Sequence, residues 1–556
     1  MLNIFTTKDK QPKIRNVSFR RCAGTNTFLP TLQGAEPHEP YPSPLRIRAF
    51  SQSTKTHTQP RSRARSFLLQ ILDVRGFRVT LRQSMMRRIV FAAVGLIFTA
   101  STALAGTTWP QFRGPNGSGI ADGEKPPIQF GPGTNEIFKV AVPPGLSSPC
   151  IWQDRIFLTA LEDGKLVTLC YSAKDGQRLW SQAAPFEKLE GFHPSEGSPA
   201  ASTPATDGER VYSYFGSAGV FAYSLDGKLL WEHKLPIAEH VGNFGTGTSP
   251  IVHSGLVLIN RDMVRGSHLL ALRASNGEVA WRAERPEFSS SWSTPVILEG
   301  NGPAQIVLAG NQRIKGYDLK TGEEKWQFHG LPNAVCPLPV IGDGQLFFAA
   351  WSPSSQDVNL GRFGSILEKY DKNSDKLITP DEAAGPLTVL FRVFDGNDDR
   401  KLDAEEWNSK LDLFNKAVTQ AFAIRPGKGE ISDDNVTWKY TRGLPYVPSS
   451  LIYRGKFYMV RDGGMVTCLD AKTGKPFYEQ ERLGALGSYY PSPVAADGRI
   501  YICSNDGKFT VIAAGEEPEV LSRAELGVRS FTTPAIANDR LYVRTADHLW
   551  CFGEKK

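Results

Sequence analysis

The sequence predicts an all-β fold, an eight-bladed β-propeller of four-stranded antiparallel blades with a small α-helical insertion in the fifth blade. Three observations carry this expectation. Residues 202–235 read as four short strands joined by tight turns. The same text returns along the chain, with turn glycines Gly176, Gly227, Gly277 and Gly322 spaced 51, 50 and 45 residues apart. The spacing then doubles once, to 107 residues between Gly322 and Gly429, and the extra text has a helical period.

Ser202–Thr206 is the first strand of the clearest unit. Asp207-Gly208 turns the chain into Arg210–Phe215, where Val211, Ser213 and Phe215 alternate with Tyr212 and Tyr214. Gly216-Ser217-Ala218-Gly219 leads into Val220–Leu225, and Asp226-Gly227 leads into Lys228–Lys234, which carries Trp231. Alternation at period two is the mark of a strand, and Asp-Gly and Gly-rich joins are those of tight hairpins. One such sheet cannot bury both faces alone, and repetition at this period supplies its neighbours.

Ahead of the repeats, residues 1–84 are rich in Arg, Ser, Thr and Pro with little periodicity. Met86-Arg87-Arg88, the apolar run Ile89–Ala100 and the small-x-small sequence Ala103-Leu104-Ala105 then follow in the order of a secretory signal peptide, residues 85–105. Such a peptide belongs at a chain start, so translation is expected to begin at Met85 or Met86. A long basic targeting segment or a membrane anchor is the other reading, but the apolar run is short of the ~20 residues a spanning helix needs. Residues 1–105 carry 17 Lys and Arg against 4 Asp and Glu, and the remainder carries 47 against 53. The formal charge of +7 thus comes from the segment expected to be absent, and the mildly acidic rest gives no basis for nucleic-acid binding. No Cys stands at the cleavage point, so the product is read as exported, periplasmic or extracellular, without a stable membrane anchor. Cys150, Cys170, Cys336, Cys468, Cys503 and Cys551 are scattered, four of them within strand patterns, and are read as buried free thiols.

Residues 106–134 form a loop-like N-terminal segment expected to pack over one propeller face. The units then open at Ser148-Pro149, Ser202, Ser249-Pro250, Thr294-Pro295, Leu338-Pro339, Val447-Pro448, Ser492-Pro493 and Thr533-Pro534. Their turn and aromatic partners are Gly176 with Trp180, Gly227 with Trp231, Gly277 with Trp281, Gly322 with Trp326, Gly429 with Trp438 and Gly474 with Phe477. Gly515 has no Trp after it, and the last unit ends at Cys551-Phe552 without a fourth strand. Glu136–Val142 is expected to supply that strand, closing the ring and leaving no long edge exposed. Propeller blades therefore cover residues 135–356 and 417–556.

The tandem units (Val-Tyr-x-Tyr, then Ala-Tyr-Ser-Leu-Asp-Gly-Lys-Leu-Leu-Trp) resemble the PQQ-like β-propeller repeat family, which includes quinoprotein alcohol dehydrogenases and the BamB-type assembly scaffold. Trp109-Pro110-Gln111-Phe112-Arg113-Gly114-Pro115 is similar to the start of exported propellers of this family. The resemblance covers about residues 106–356 and 417–556 and speaks to fold, because the repeat is structural.

The insertion, Asp357–Lys416, interrupts the fifth blade between Gln345–Ala350 and Ala421–Ile424. Phe363, Ile366, Leu367 and Tyr370 recur at helical spacing, as do Leu387, Leu390, Phe391 and Phe394, and Trp407, Leu411, Phe414 and Val418 continue the stripe. Two acidic loops lie between these helices. Asp371, Asn373, Asp375, Thr379 and Glu382 stand at positions 1, 3, 5, 9 and 12 of the first, and Asp395, Asn397, Asp399, Asp403 and Glu406 of the second. A hard cation takes six to eight oxygens, including a backbone carbonyl at position 7 (Leu377, Lys401) and both oxygens of a Glu at 12. The loops resemble the EF-hand calcium loop, which implies two Ca2+ sites and pairing of Ile378 with Leu402 at position 8. Position 6 is Lys376 or Arg400 where the loop calls for Gly, so weak binding, around 10⁻⁴–10⁻³ M, is expected. Only the 12 residues Ala383–Phe394, interrupted by Gly385-Pro386, separate the loops, which favours a compact structural staple over an opening sensor.

The leading expectation for function is a non-catalytic exported scaffold that binds a protein or a cell-envelope polymer. A quinoprotein-like oxidoreductase or sugar-handling enzyme with a channel-centred site, and an envelope assembly factor, are the alternatives. The family's dehydrogenases set an adjacent Cys-Cys disulfide against their cofactor, and no such pair occurs here, so PQQ is not expected. His193, His240 and His268 are isolated and read as loop or core histidines. Phe192, Phe244, Trp292, Tyr446, Tyr489 and Tyr490 precede first strands and are candidates to line the channel mouth.

Overall fold

The computed structural model describes residues 108–300, 302–352 and 361–554. The expected signal peptide and the residues before it lie outside these. Among the described residues eight sheets follow one another along the chain, each built on four antiparallel strands in order from axis to rim, and two of them gain a fifth, two-residue strand. In blade 2 these are Ala205–Thr206, Arg210–Phe215, Gly219–Ser224 and Leu229–Lys234. The eighth blade takes its rim strand from the other end of the chain: Glu136–Ala141 pairs antiparallel with His548–Phe552. The ring is closed as the sequence predicts. Connections between blades, and between second and third strands, emerge on one face, called upper here. The remaining hairpins form the lower face.

The repeated sequence positions have identifiable physical roles. The rim-strand aromatic faces a small residue on the third strand: Trp180 opposite Cys170, Trp231 opposite Ala222, Trp281 opposite Ala271, Trp326 opposite Gly316 and Trp438 opposite Ala423. Cys468 opposite Tyr478 and Cys551 opposite Phe138 bring the pairs to seven, blade 7 having Ser522 opposite Val511 instead, and they explain why buried thiols stand there: they are small apolar floors under a ring. In blade 6 the aromatic is Tyr478, and Phe477, expected from the sequence, is 37% exposed. Four of the five rim indoles, those of Trp180, Trp231, Trp281 and Trp438, also lock the next blade. Trp231 Nε1 donates to Ala274 O at 3.0 Å and Trp438 Nε1 to Ala471 O at 2.9 Å. The turn glycine of the next blade lies against the ring. At Gly277 (φ 75°) a Cβ would sit 2.5 Å from Trp231, so the turn needs glycine for conformation and for space.

A second repeat binds the blades near the axis. The residue two places before each first strand hands its N–H to the hydroxyl of the next blade: Ser148 to Thr203, Thr203 to Ser249, Ser249 to Thr294, Leu338 to Ser449, Ser449 to Ser492, Ser492 to Thr533 and Thr533 to Ser148, at 2.9–3.1 Å. The belt has one gap, between blades 4 and 5, because Leu338 has no hydroxyl. The sixth unit therefore opens at Ser449, not at Val447-Pro448: the position needs a hydroxyl and the proline is dispensable.

The N-terminal segment enters the ring from the lower end. Thr108–Trp109 pairs with Cys150–Trp152 of blade 1. Asn116 bonds both the N–H and the carbonyl of Ile297 in blade 4. Arg113, fully buried, donates to the carbonyls of Ser449 at 2.9 Å and Ser450 at 2.8 Å in blade 6. One short segment thus ties inner strands from several blades.

The fifth blade departs from the pattern. Its strands are Val340–Gly342, Gln345–Ala350, Gln420–Ile424 and Val436–Tyr440. Gly429 is not its turn: Gly429–Glu430 pairs in parallel with the rim strand of blade 4, Trp326 facing Gly429. Between the second and third strands stand helices α1 (Phe363–Tyr370), α2 (Pro386–Phe394) and α3 (Ala404–Phe414). Val418 lies beyond α3, 40% exposed, and its N–H bonds Leu331 O.

Candidate metal centre

The three helices pack around Phe363, Ile366, Leu387, Phe391, Phe394, Trp407 and Leu411, and Val241 from the connection between blades 2 and 3 joins this core. Phe394 stacks on Trp407 with centroids 4.2 Å apart, which holds the start of the second acidic loop against the start of α3. The two loops are joined where the sequence predicts. Ile378 and Leu402 form an antiparallel bridge, with N–H to O distances of 3.1 and 2.8 Å, and both side chains are fully buried.

The loops share one backbone course. Positions 4 and 6 are left-handed in both: Ser374 (φ 64°) and Lys376 (φ 66°), Asp398 (φ 63°) and Arg400 (φ 63°). The fold therefore holds two long cationic residues in a conformation that favours glycine. Side chains then close each loop on itself. In the first, Asp371 accepts from Ser374 N and Lys376 N, Asn373 from Asp375 N, and Asp375 from Leu377 N. Glu382 folds back to accept from Lys372 N at 3.0 Å and from the N–H and hydroxyl of Thr379. These donors, the Thr379 N–H foremost, hold its carboxyl below the usual range. In the second, Asn397 accepts from Asp399 N, Asp399 from Lys401 N, and Glu406 from Gly396 N and Asn397 N. Burial raises the Glu406 carboxyl despite those donors. Asp403 caps α3 by accepting from Glu406 N.

Asp395, Asp399 and Glu406 converge, with one oxygen of each within 4.8 Å of the others. Asp395 is 3% exposed, and its Oδ1 has no hydrogen-bond partner among the described residues. A buried, unpartnered carboxylate oxygen among two more carboxylates is costly, and a cation of the hard, oxygen-seeking class fits that donor set. In the first loop the acidic groups share the backbone pattern without this convergence. The module also docks on upper-face loops of other blades. Arg265, in the blade 3 hairpin, pairs with Asp398 and lies 3.4 Å from Asp395 Oδ2, and Arg392 pairs with Glu239 at 2.7 Å. Nothing in the sequence points to Arg265, which stands 130 residues from its partner.

Beside the module, a cleft of about 410 Å³ opens between blades 5 and 6, lined by Trp351, Tyr446, Arg461, Asp462, Thr419 and Thr441. Tyr446 packs edge-on to Trp351 at 5.7 Å and Tyr490 on Phe531 at 5.2 Å, while Phe244 lies between His193 and Trp292. Tyr490 donates to Glu196, so loops from between blades 6 and 7 and between blades 1 and 2 meet over the axis. Tyr489 does not line this mouth: it is buried and donates to Ala485 O. His240 is buried with Nδ1 unpartnered, and burial lowers it to about 3. Its neighbour Thr246 donates to Glu190, which burial raises to about 7.

The molecule is a closed eight-bladed propeller with a helical module over its upper face. The chain belongs to the PQQ-like repeat family whose description reads outer membrane protein assembly factor BamB, matched over residues 135–260, 238–350 and 435–549. Among solved structures it is similar to a europium-containing methanol dehydrogenase (11% identity, 81% of this chain and 98% of the other, TM-score 0.52). It is also similar to the quinohemoprotein alcohol dehydrogenase of Comamonas testosteroni (11%, 83% of each chain, TM-score 0.50). BamB from Moraxella catarrhalis aligns at 12% identity over 76% of this chain and 97% of the other, with a TM-score of 0.46. None of the curated proteins matches the chain. The likenesses to the two dehydrogenase structures establish the shared fold.

Proposed function

We propose that the chain is an exported binding propeller, not an enzyme, whose upper face carries a calcium-filled helical module. The observation that carries this reading is the unpartnered Asp395 Oδ1, facing Asp399 and Glu406 in a loop bridged to its twin. Calcium, when bound, supplies the positive charge that lets these acids sit together. Asp395, Asn397, Asp399, Asp403, Glu406 and the Lys401 carbonyl would hold one ion. Asp371, Asn373, Asp375, Thr379, Glu382 and the Leu377 carbonyl would hold the other. Burial pushes Cys150, Cys170, Cys336, Cys468, Cys503 and Cys551 well above the usual thiol range, which supports inert packing over redox work. The ligand is a protein or an envelope polymer held at the aromatic mouth and the adjoining cleft. The family's description favours envelope assembly as the setting, and export follows from the same reading.

Calorimetric titration of calcium into the full chain, beside Glu382→Gln/Glu406→Gln, tests the module: heat in the parent and none in the variant is expected. A visible absorbance change on adding pyrroloquinoline quinone would favour the oxidoreductase reading instead.

A further inference from the structure

We propose that Arg265 of blade 3 is a built-in competitor for the second acidic loop, making it the weaker calcium site, and that filling this site loosens the contact between module and propeller. The inference rests on the calcium reading above. Asp395 is divided between two demands: Oδ2 faces the Arg265 guanidinium at 3.4 Å, and Oδ1 is unpartnered beside Asp399 and Glu406. The corresponding Asp371 instead gives its two oxygens to the backbone N–H groups of Ser374 and Lys376.

A guanidinium stays charged at any relevant pH, so it cannot step aside by losing a proton. Asp395 is almost fully buried, and a fixed positive charge there is poorly screened and opposes an incoming dication. Arg265 also pairs with Asp398, at position 4, which is not a ligand position. It therefore has somewhere to remain when Asp395 turns to a metal, but with one partner fewer. The same interface holds Arg392 to Glu239 and seats Val241 in the helical core. Coupling between two binding events is reciprocal: the factor by which docking weakens calcium binding is the factor by which calcium weakens docking.

The test silences the first loop with Glu382→Gln in the full chain and measures calcium binding by calorimetry with and without Arg265→Gln. Binding about tenfold tighter with Arg265→Gln is expected, the scale on which groups behind a metal ligand act. Equal or weaker binding overturns the proposal. Calcium that binds the parent but neither variant refutes the assignment of the second loop, and the proposal with it. Calcium that does not bind the parent refutes the calcium reading itself. In the Glu382→Gln chain, calcium should also speed amide exchange in residues 239–243 and 264–268. Exchange unchanged or slowed there overturns the loosening.

Discussion

The repeated positions of this propeller and the loops on its upper face are built from different chemistry. The repeats use a rim aromatic over a small residue of its own blade, and a turn glycine and a hydroxyl that meet the neighbouring blade. The upper loops use buried charges and polar groups that occur once: Arg285 on Asp262, Glu190 under Thr246, Arg265 on Asp395 and Asp398. The junction of blades 4 and 5 shows the boundary between the two. There the belt lacks its hydroxyl at Leu338, and Trp326 bonds Gln305 of its own blade at 2.6 Å. The helical module emerges from the blade that follows. Repetition makes the ring, and the places released from repetition are free to carry a site.

The largest effect should come from the repeats. Trp231→Ala removes a buried ring that packs on two blades and should cost about 3–5 kcal/mol, measured by denaturant unfolding. Calcium binding by the folded fraction should be unchanged, and a lost calcium response would break the separation of roles. Arg285→Ala on the upper face leaves Asp262 buried and unpaired and should cost about 3 kcal/mol.

Glu190 sharpens the contrast through pH. Burial raises its folded value to about 7 from the ordinary 4.5, so the folded state keeps a proton that the unfolded state releases in this window. Stability from this group is fully present below about 4.5 and is lost as pH rises through about 7, by up to about 3 kcal/mol. Glu190→Gln, which mimics the protonated form, should flatten that slope in melting curves and stabilise the chain at pH 8. An unchanged slope would show that Glu190 does not set this pH dependence. Ser249→Ala, which leaves the Thr203 N–H without its partner, should cost about 1 kcal/mol. Glu406→Gln should have the smallest effect on the metal-free fold, because that side chain serves its own loop.

The repeat was legible because turn glycines and rim tryptophans must recur wherever one blade packs on the next. The slips at Val447-Pro448 and Phe477 arose where proline and an adjacent aromatic imitate the pattern without its chemistry: the belt requires the Ser449 hydroxyl, and the floor requires the ring on the inward residue, Tyr478. The acidic loops were legible because oxygen donors must keep fixed spacing in a short loop. Arg265 was not, since its role depends on where a distant hairpin falls after folding. The Gly429–Glu430 strand escaped for the same reason: a two-residue parallel pairing leaves no period to read.

The most direct test is a crystal structure of the chain grown with calcium, with anomalous data used to locate the ions. Two peaks are expected, one among Asp395, Asp399 and Glu406 and one among Asp371, Asp375 and Glu382. Loops without a peak, with Arg265 still seated on Asp395, would contradict this expectation.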